Sequence, residues 1–484
     1  MSAAWIAFLL YAALAIGLGW RVQRRAADPA TYWTAGRQLP GSAVGLSISA
    51  GFMSVSWSCV YAVQLFYWYG LGALWLITIP WLLSLWGIYL LAKRYHALPA
   101  FSQPEMVGQR FGPGARKAVA LSLALVFLVW GGAEMYVAAT LLAPGLGIPV
   151  PALIIIIGLI VGLYSALGGF GAVVATDKMQ YVLVGLYILA MGWLALQGIR
   201  QLPDGWPEVH IAAAKSGQSW ASLMSPGLAV IALTFIGYLP GWIFETDLWL
   251  RVQAARDVRA ARRGVVIAGV SALLFVGLLP LVIGIAALGL FPLEGGVMPP
   301  IAGTEGDAIF AALVTRYAPA WLAVLVAVGL VAAAMSTIDT CVNVMALSIG
   351  YDLLNKGPAA ASGARSRWAT IAATAGTLLF ALNTQSLWDI FYLSSGILTA
   401  AVAFPVAAIF IPKVRERGVA ASSLAGLGGI LLAYFLETYG PLKGWEPAWL
   451  AETGLGFILW GILAAAAGYL AGSRRAAAGR DQEA

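Results

Sequence analysis

The chain has 484 residues, 61% of them hydrophobic and 10% charged, with 28 basic against 21 acidic side chains and a net charge of +7. A soluble domain carries about 25% charged residues, so this composition excludes a soluble enzyme, a nucleic-acid binder and a disordered scaffold. Cys59 and Cys341 both fall inside apolar stretches, which implies neither a disulfide framework nor a metal cluster.

In chain order, the charges form short islands between long apolar runs. Residues 1–20 are apolar and are followed by Arg21, Arg24 and Arg25. A signal peptide carries its positive charges in front, so this segment reads as a retained first helix. No Asp, Glu, Lys, Arg or His occurs from Gln38 to Ala92, a stretch of 55 residues, and Glu134 is the only such residue between Ala118 and Thr176. A transmembrane helix takes about 20 apolar residues, so each run holds two passes, with breakers at 70–72 and 144–151 where a hairpin needs them. Continued along the chain, this gives thirteen spans beginning near residues 3, 42, 72, 118, 150, 178, 222, 264, 320, 368, 388, 418 and 453.

Basic residues set the orientation. With the N-terminus outside, the inside segments 21–40, 93–117, 171–178, 249–263, 351–367, 412–418 and the tail after 473 hold 24 of the 28 Lys and Arg residues. The net positive charge is then a property of the cytoplasmic face of a lipid bilayer, and nucleic acid is not implied.

The informative residues are those that are costly in lipid, because ionisable side chains inside spans line pathways or pair with one another. Here they are Glu134, Asp339 and Asp389, with Asp177, Glu245 and Asp247 at span ends. All six are acidic, and no Lys or Arg is expected deep in a span, so the interior calls for cations, protons or a cationic solute. Residues 41–58 hold three glycines and six serines. Both residue types weaken a helix interior, and a break there exposes carbonyls that can hold a cation, the alternative being close helix packing by small residues. Further on, Ser336, Asp339, Thr340 and Asn343 fall on one helical face. Their oxygens suit a hard cation, whereas zinc prefers His and Cys; the two histidines, His96 and His210, are expected in loops.

These residues resemble the sodium:solute symporter family. Residues 32–40 (Tyr-Trp-Thr-Ala-Gly-Arg-Gln-Leu-Pro) look like that family's segment between its first two helices. Residues 168–180 match its GG-x-x-AV-x-x-TD-x-x-Q pattern, and Thr246-Asp247-Leu248-Trp249-Leu250-Arg251 resembles its loop after the seventh span. The resemblance covers nearly the whole chain and at the ion site is most like the proline-transporter branch, although Phe52 replaces an acidic residue found there.

What the resemblance implies is an all-α membrane protein of thirteen helices with a LeuT-type core of two inverted five-helix repeats. Residues 1–40 form a peripheral helix and loop, 41–220 the first repeat, 221–416 the second, and 417–484 the C-terminal helices and cytoplasmic tail. It implies a main sodium site at Ala50, Met53, Ala333, Ser336 and Thr337, and a second sodium site or ion exit at Asp177, Asp339 and Thr340. Solute contacts are expected from Ser54, Trp57, Glu134, Trp388, Asp389, Phe391 and Tyr392, with Glu134 suited to an amine. The expected activity is sodium-coupled uptake of a small solute, an amino acid or amine first and a sugar second, across the plasma membrane. Proton coupling, a non-transporting sensor and an aspartyl intramembrane enzyme are the rival readings; no cofactor motif other than the sodium site is present.

Overall fold

The structure is a computed structural model and describes residues 3–23, 29–303, 308–319, 321–354, 364–384, 388–440, 444 and 446–478. Among these residues it is helical, with only isolated bridges in place of strands. The helices that position the site are α1 (Ala3–Gln23), α2 (Gly41–Phe52), α3 (Val55–Trp75), α4 (Thr78–His96), α5 (Gln103–Leu146), α6 (Val150–Arg200), α7 (Leu228–Ala254), α8 (Val258–Leu290), α9 (Ile309–Tyr317), α10 (Leu322–Leu347), α11 (Ala364–Asn383) and α12 (Trp388–Ile397). They are followed by α13 (Glu416–Tyr439) and α14 (Gly456–Ala478), which pack on each other.

Eight of the described helices are long and apolar enough to cross a membrane, or nine if the bent pair α2 and α3 is one span. The difference from thirteen has identifiable sources. The spans expected from 150 and 178 run together as α6, whose 51 residues are broken at Gly169 (φ 56°, ψ −148°). At 1.5 Å per residue an unbroken α6 would be about two and a half times the thickness of a bilayer core. Helices α4, α11 and the segment Tyr392–Ala408 are not among the eight.

Burial is inverted relative to a soluble protein. Leu10, Leu159, Val270, Trp368 and Leu432 are exposed, whereas Glu134, Asp177, Glu245, Asp247, Arg251 and Asp339 are buried. Helix α10 lies between α5 and α6, and α2 packs against α6, α8 and α10. Four of the described helices carry a π-helical turn, at Val55–Tyr61, Leu273–Leu278, Ser348–Leu353 and Leu398–Ala403.

At one end of the bundle the segment 201–227 folds over α3: the Ala214 amide donates to the Tyr67 carbonyl at 2.9 Å, and the Leu71 amide to the Trp220 carbonyl at 2.7 Å. At the other end, the loop before α2 is pinned to the end of α7 through Leu39 N–H to Ala254 O at 2.9 Å. There Arg116 pairs with Asp352 at 2.9 Å, Arg37 donates to the carbonyls of Leu98 and Ala100 at 3.1 and 2.8 Å, and Tyr95 stacks on Trp249 at 3.6 Å. Asp257 caps α8 by accepting from the Ala260 amide at 2.7 Å, a bond that holds its carboxyl below the usual range.

Helices α2 and α8 meet at glycines. A Cβ on Gly45 would lie 2.6 Å from Ile267 Cβ, and one on Gly264 2.5 Å from a Val44 methyl carbon. Gly264→Val is expected to cost about 1–3 kcal/mol by overpacking, read as a lower Tm in detergent. Gly269→Ala, at a position with open space, is expected to hold or raise the Tm.

Candidate ion-binding and solute-binding site

The site is organised by two interruptions. Helix α2 ends at Phe52, and α3 leaves it at 61°. Met53 (φ −77°, ψ 48°) and Ser54 (φ −81°, ψ 167°) are non-helical, so main-chain groups on both sides lose their helical partners. Side chains replace them. Glu134 of α5 accepts from the amides of Val55 at 2.6 Å and Ser56 at 3.0 Å, and also from the Ser56 hydroxyl. Ser54 Oγ accepts from the Trp57 amide at 2.9 Å, and Ser58 Oγ donates to the Phe52 carbonyl at 2.8 Å. The serines that weaken this helix in the sequence thus complete its break.

Glu134, expected to face a solute amine, is therefore engaged as the N-terminal cap of α3. An anion belongs there, because two main-chain amides and a hydroxyl converge on it at a helix N-terminus.

The carbonyl side of the break faces α10. Ser336 Oγ donates to the carbonyls of Ala50 at 3.0 Å and Ala333 at 2.9 Å. Thr337 Oγ1 donates to the Gly51 carbonyl at 3.0 Å, with the Ala333 carbonyl at 3.4 Å. Ala50, Ala333, Ser336 and Thr337 are thereby brought together, and Gly51, which the sequence did not single out, joins them. Met53 is buried at the break, its amide donating to the Ser49 carbonyl at 3.0 Å. An oxygen-only donor set of carbonyls and hydroxyls fits a hard monovalent cation. Each hydroxyl has a second acceptor one turn back, so its lone pairs can turn to an ion without stranding its proton.

The second interruption lies in α7, where Phe244 (φ −108°, ψ 21°) and Glu245 (ψ 122°) separate Leu239–Ile243 from Thr246–Ala254. The sequence signal for it is Gly237-x-x-Pro240-Gly241, helix breakers within an apolar run. Residues 249–254, expected in a cytoplasmic loop, continue as a buried helix, and Arg251 is fully buried. Its guanidinium donates to Ser47 Oγ at 2.7 Å, Thr340 Oγ1 at 2.8 Å, Asp177 Oδ2 at 3.2 Å and Asp247 Oδ2 at 3.3 Å. The Leu39–Ala254 contact and the Tyr95–Trp249 stack fold this segment inward, so the interior has a basic partner.

Of the three residues expected at a second cation site, Asp177 and Thr340 thus bind Arg251. Asp339 accepts from Tyr164 Oη at 2.6 Å, with the hydroxyls of Thr340 and Thr176 at 3.4 and 3.5 Å.

On the far side of the α2 break, Phe52, Trp57, Trp81, Trp242 and Glu245 line a cavity of about 20 Å³ with Ser394 and Ser395 of α12. Above it Tyr61, Tyr238 and Tyr392 close a lid: Tyr61 and Tyr392 meet through their hydroxyls at 3.4 Å, and Tyr238 stacks on Tyr392 at 6.0 Å. The same tyrosines floor a second cavity of about 220 Å³, which also reaches Lys215 and Thr234. Ser54 and Trp57 stand at the inner cavity and Tyr392 in its lid; the side chains of Trp388, Asp389 and Phe391 lie outside the described residues. Phe52, Trp81, Trp242, Ser394 and Ser395 were missed: the serine pair inside an apolar span was a usable signal, whereas one tryptophan among 20 is not. His210 lies in a loop, and His96 ends α4 with Nε2 2.8 Å from the Ala255 carbonyl.

Removing Glu134 strands two buried amides at about 1–3 kcal/mol each. Glu134→Ala is therefore expected to lower the Tm clearly, and Glu134→Gln, which keeps one acceptor oxygen, to lower it less. Arg251→Ala leaves buried carboxylates unpaired and is expected to cost about 3–5 kcal/mol. Arg251→Lys is expected to recover little, because an ammonium cannot reproduce the guanidinium fork; thermal unfolding of the four variants checks both statements.

Comparison with known proteins agrees with this architecture. The chain is 33% identical over 196 residues to the human sodium/iodide cotransporter (39% of this chain, 29% of that protein) and 30% identical over 310 residues to the Vibrio parahaemolyticus sodium/glucose cotransporter (58% and 54%). It thus spans between about a third and a half of the length of these relatives. A solved structure of a Na+-coupled sialic acid symporter in a substrate-bound outward-open state superposes with a TM-score of 0.76 at 17% identity, covering 98% of this chain and 97% of that one, and shows the shared LeuT-type fold. The family model described as "Sodium:solute symporter family" matches residues 32–426, which take in both helix breaks, α10 and the lid, and the chain belongs to that family.

Proposed function

We propose that the chain is a sodium-coupled symporter that carries a small organic solute by alternating access, with sodium held by the carbonyls of Ala50, Met53 and Ala333 and the hydroxyls of Ser336 and Thr337. The observation that carries this reading is the meeting of the Ser336 and Thr337 hydroxyls with the Ala50 and Gly51 carbonyls across the break of α2. An ion there ties α2 to α10. Coupling follows from chain continuity: Ala50 and Met53 face the ion, while Phe52, between them, lines the inner cavity, with Trp57 one turn beyond. An ion that fixes this turn fixes the cavity wall, and a solute that fixes the wall favours the ion by the same factor.

We read one sodium per cycle, because Arg251 already supplies a cation to Asp177 and Thr340. The repeats are proposed to be 41–220 and 221–416, with a broken helix leading each. The basic end is assigned to the cytoplasm of a plasma membrane and the N-terminus to the outside, on the distribution of Lys and Arg. The ion-site stretches support a likeness to proline transporters, and an amine-bearing solute is the class carried forward.

The test needs no solute. Sodium that binds only the folded state raises the Tm according to its occupancy. Against potassium at equal ionic strength, sodium is expected to stabilise the protein. Ser336→Ala and Thr337→Ala each remove a charge-assisted contact of about 1.5–3 kcal/mol and are expected to raise the half-saturating sodium concentration tenfold or more. Unchanged sodium affinity in both variants removes the ion-site assignment, and stabilisation indifferent to sodium favours protons as the coupling ion.

A further inference from the structure

Trp57, Trp81 and Trp242 are in pairwise contact, with ring centroids 5.3, 5.4 and 5.6 Å apart and interplanar angles of 86°, 76° and 55°. Three indole planes meeting this steeply form the corner of a box. Phe52 extends one wall, edge-on to Trp81 at 5.8 Å, and Glu245 supplies the acidic wall of the cavity they share. We infer that this corner receives the substituted ammonium group of a small organic cation, with the indole faces of Trp57, Trp81 and Trp242 around it and Glu245 as its counter-charge. The inference rests on the symport reading above and deepens it to a substrate class.

Three independent features support it. The first is ring chemistry: indole faces carry negative charge and attract alkylammonium groups most strongly where water is excluded, and Trp57, Trp81 and Trp242 are all buried. The second is charge. Glu245, Asp247, Asp177 and Asp339 are buried with Arg251 as the basic side chain among them, so acidic groups outnumber the basic partner in this region and a cation meets carboxyl oxygens there. Among the described residues no Lys or Arg lines the cavity, and an anionic solute would meet Glu245 there. A sugar needs hydrogen-bond partners on all sides, whereas the described lining is mostly aromatic, with Glu245, Ser394 and Ser395 as its non-aromatic polar side chains.

The third feature is the employment of Glu134. With its carboxylate bound to the Val55 and Ser56 amides, the acidic partner for an amine passes to Glu245. The cavity of about 20 Å³ is closed over by Tyr61, Tyr238 and Tyr392, with about 220 Å³ beyond them. A cation arriving from that outer space reaches the box when the tyrosines part, and Ser394 and Ser395 are placed to meet a hydroxyl or carboxylate on its tail.

The experiment uses the full chain, purified into lipid nanodiscs. Probes are methylammonium through tetramethylammonium, choline and glycine betaine, with 3,3-dimethyl-1-butanol as the neutral counterpart of choline and with glucose, pantothenate and iodide; the readout is Tm in sodium and in potassium. At least one ammonium compound is expected to stabilise the protein at about 1 mM or below in sodium, with the neutral counterpart tenfold weaker or more. Glu245→Gln and Trp242→Leu are each expected to weaken that ligand at least tenfold while stabilisation by sodium alone persists.

The inference is overturned if the neutral counterpart binds as well as choline, if no ammonium compound binds, or if folded Glu245→Gln keeps its affinity. Where Glu245→Gln does not fold, the charged and neutral pair on the unaltered protein decides. Stabilisation by glucose, pantothenate or iodide in sodium refutes the cation class and leaves symport standing. Absence of a sodium effect in the unaltered protein instead refutes sodium-coupled symport.

Discussion

A helix broken in a water-poor interior strands main-chain amides and carbonyls, and the rest of this structure depends on how those groups are met. At 53–54 the amides turn to Glu134 and Ser54, and the carbonyls turn to Ser58, Ser336 and Thr337. Each partner comes at a definite place on α3, α5 or α10, so the need to satisfy one short stretch of backbone fixes three helices around it. The Ala50 and Gly51 carbonyls that meet α10 and the Phe52 ring that lines the cavity then belong to consecutive residues, which makes independent movement of the two faces mechanically difficult.

Buried charge imposes the second condition. Arg251 holds Asp177 and Asp247 together with Ser47 and Thr340, so α2, α6, α7 and α10 converge on one guanidinium. A planar group with five donors can serve four partners at once, which the three donors of a lysine cannot do in the same geometry. The remaining carboxyls divide by surroundings. Asp339 is met by hydroxyls, whereas Glu245 faces aromatic rings across the cavity.

Much of this was legible in the sequence where one feature was locally expensive. Glycines and serines at 41–58 announced a broken helix, and the stripe Ser336–Asn343 announced a polar face, because neither pattern is cheap in an apolar span. The depth of Arg251 was not legible. A charge just beyond an apolar run looks like a loop residue, and only the fold-back fixed by Leu39 and Trp249 reveals otherwise. Glu134 was read correctly as embedded, yet its partners are amides, which sequence patterns do not display. The tryptophan corner assembles from α3, α4 and α7, a convergence that no single segment encodes.

The π-helical turns at 55–61, 273–278, 348–353 and 398–403 have a different consequence. Each houses one residue more than an α-turn, so everything beyond it is rotated by roughly 100° relative to a regular helix. Deleting one residue there would repair the hydrogen-bond ladder and turn the following segment onto the wrong face. At these four places the number of residues, as much as their identity, determines which side of a helix looks inward. A relative differing by a single insertion or deletion in such a turn could keep every polar residue of the interior and still present a different wall to its solute.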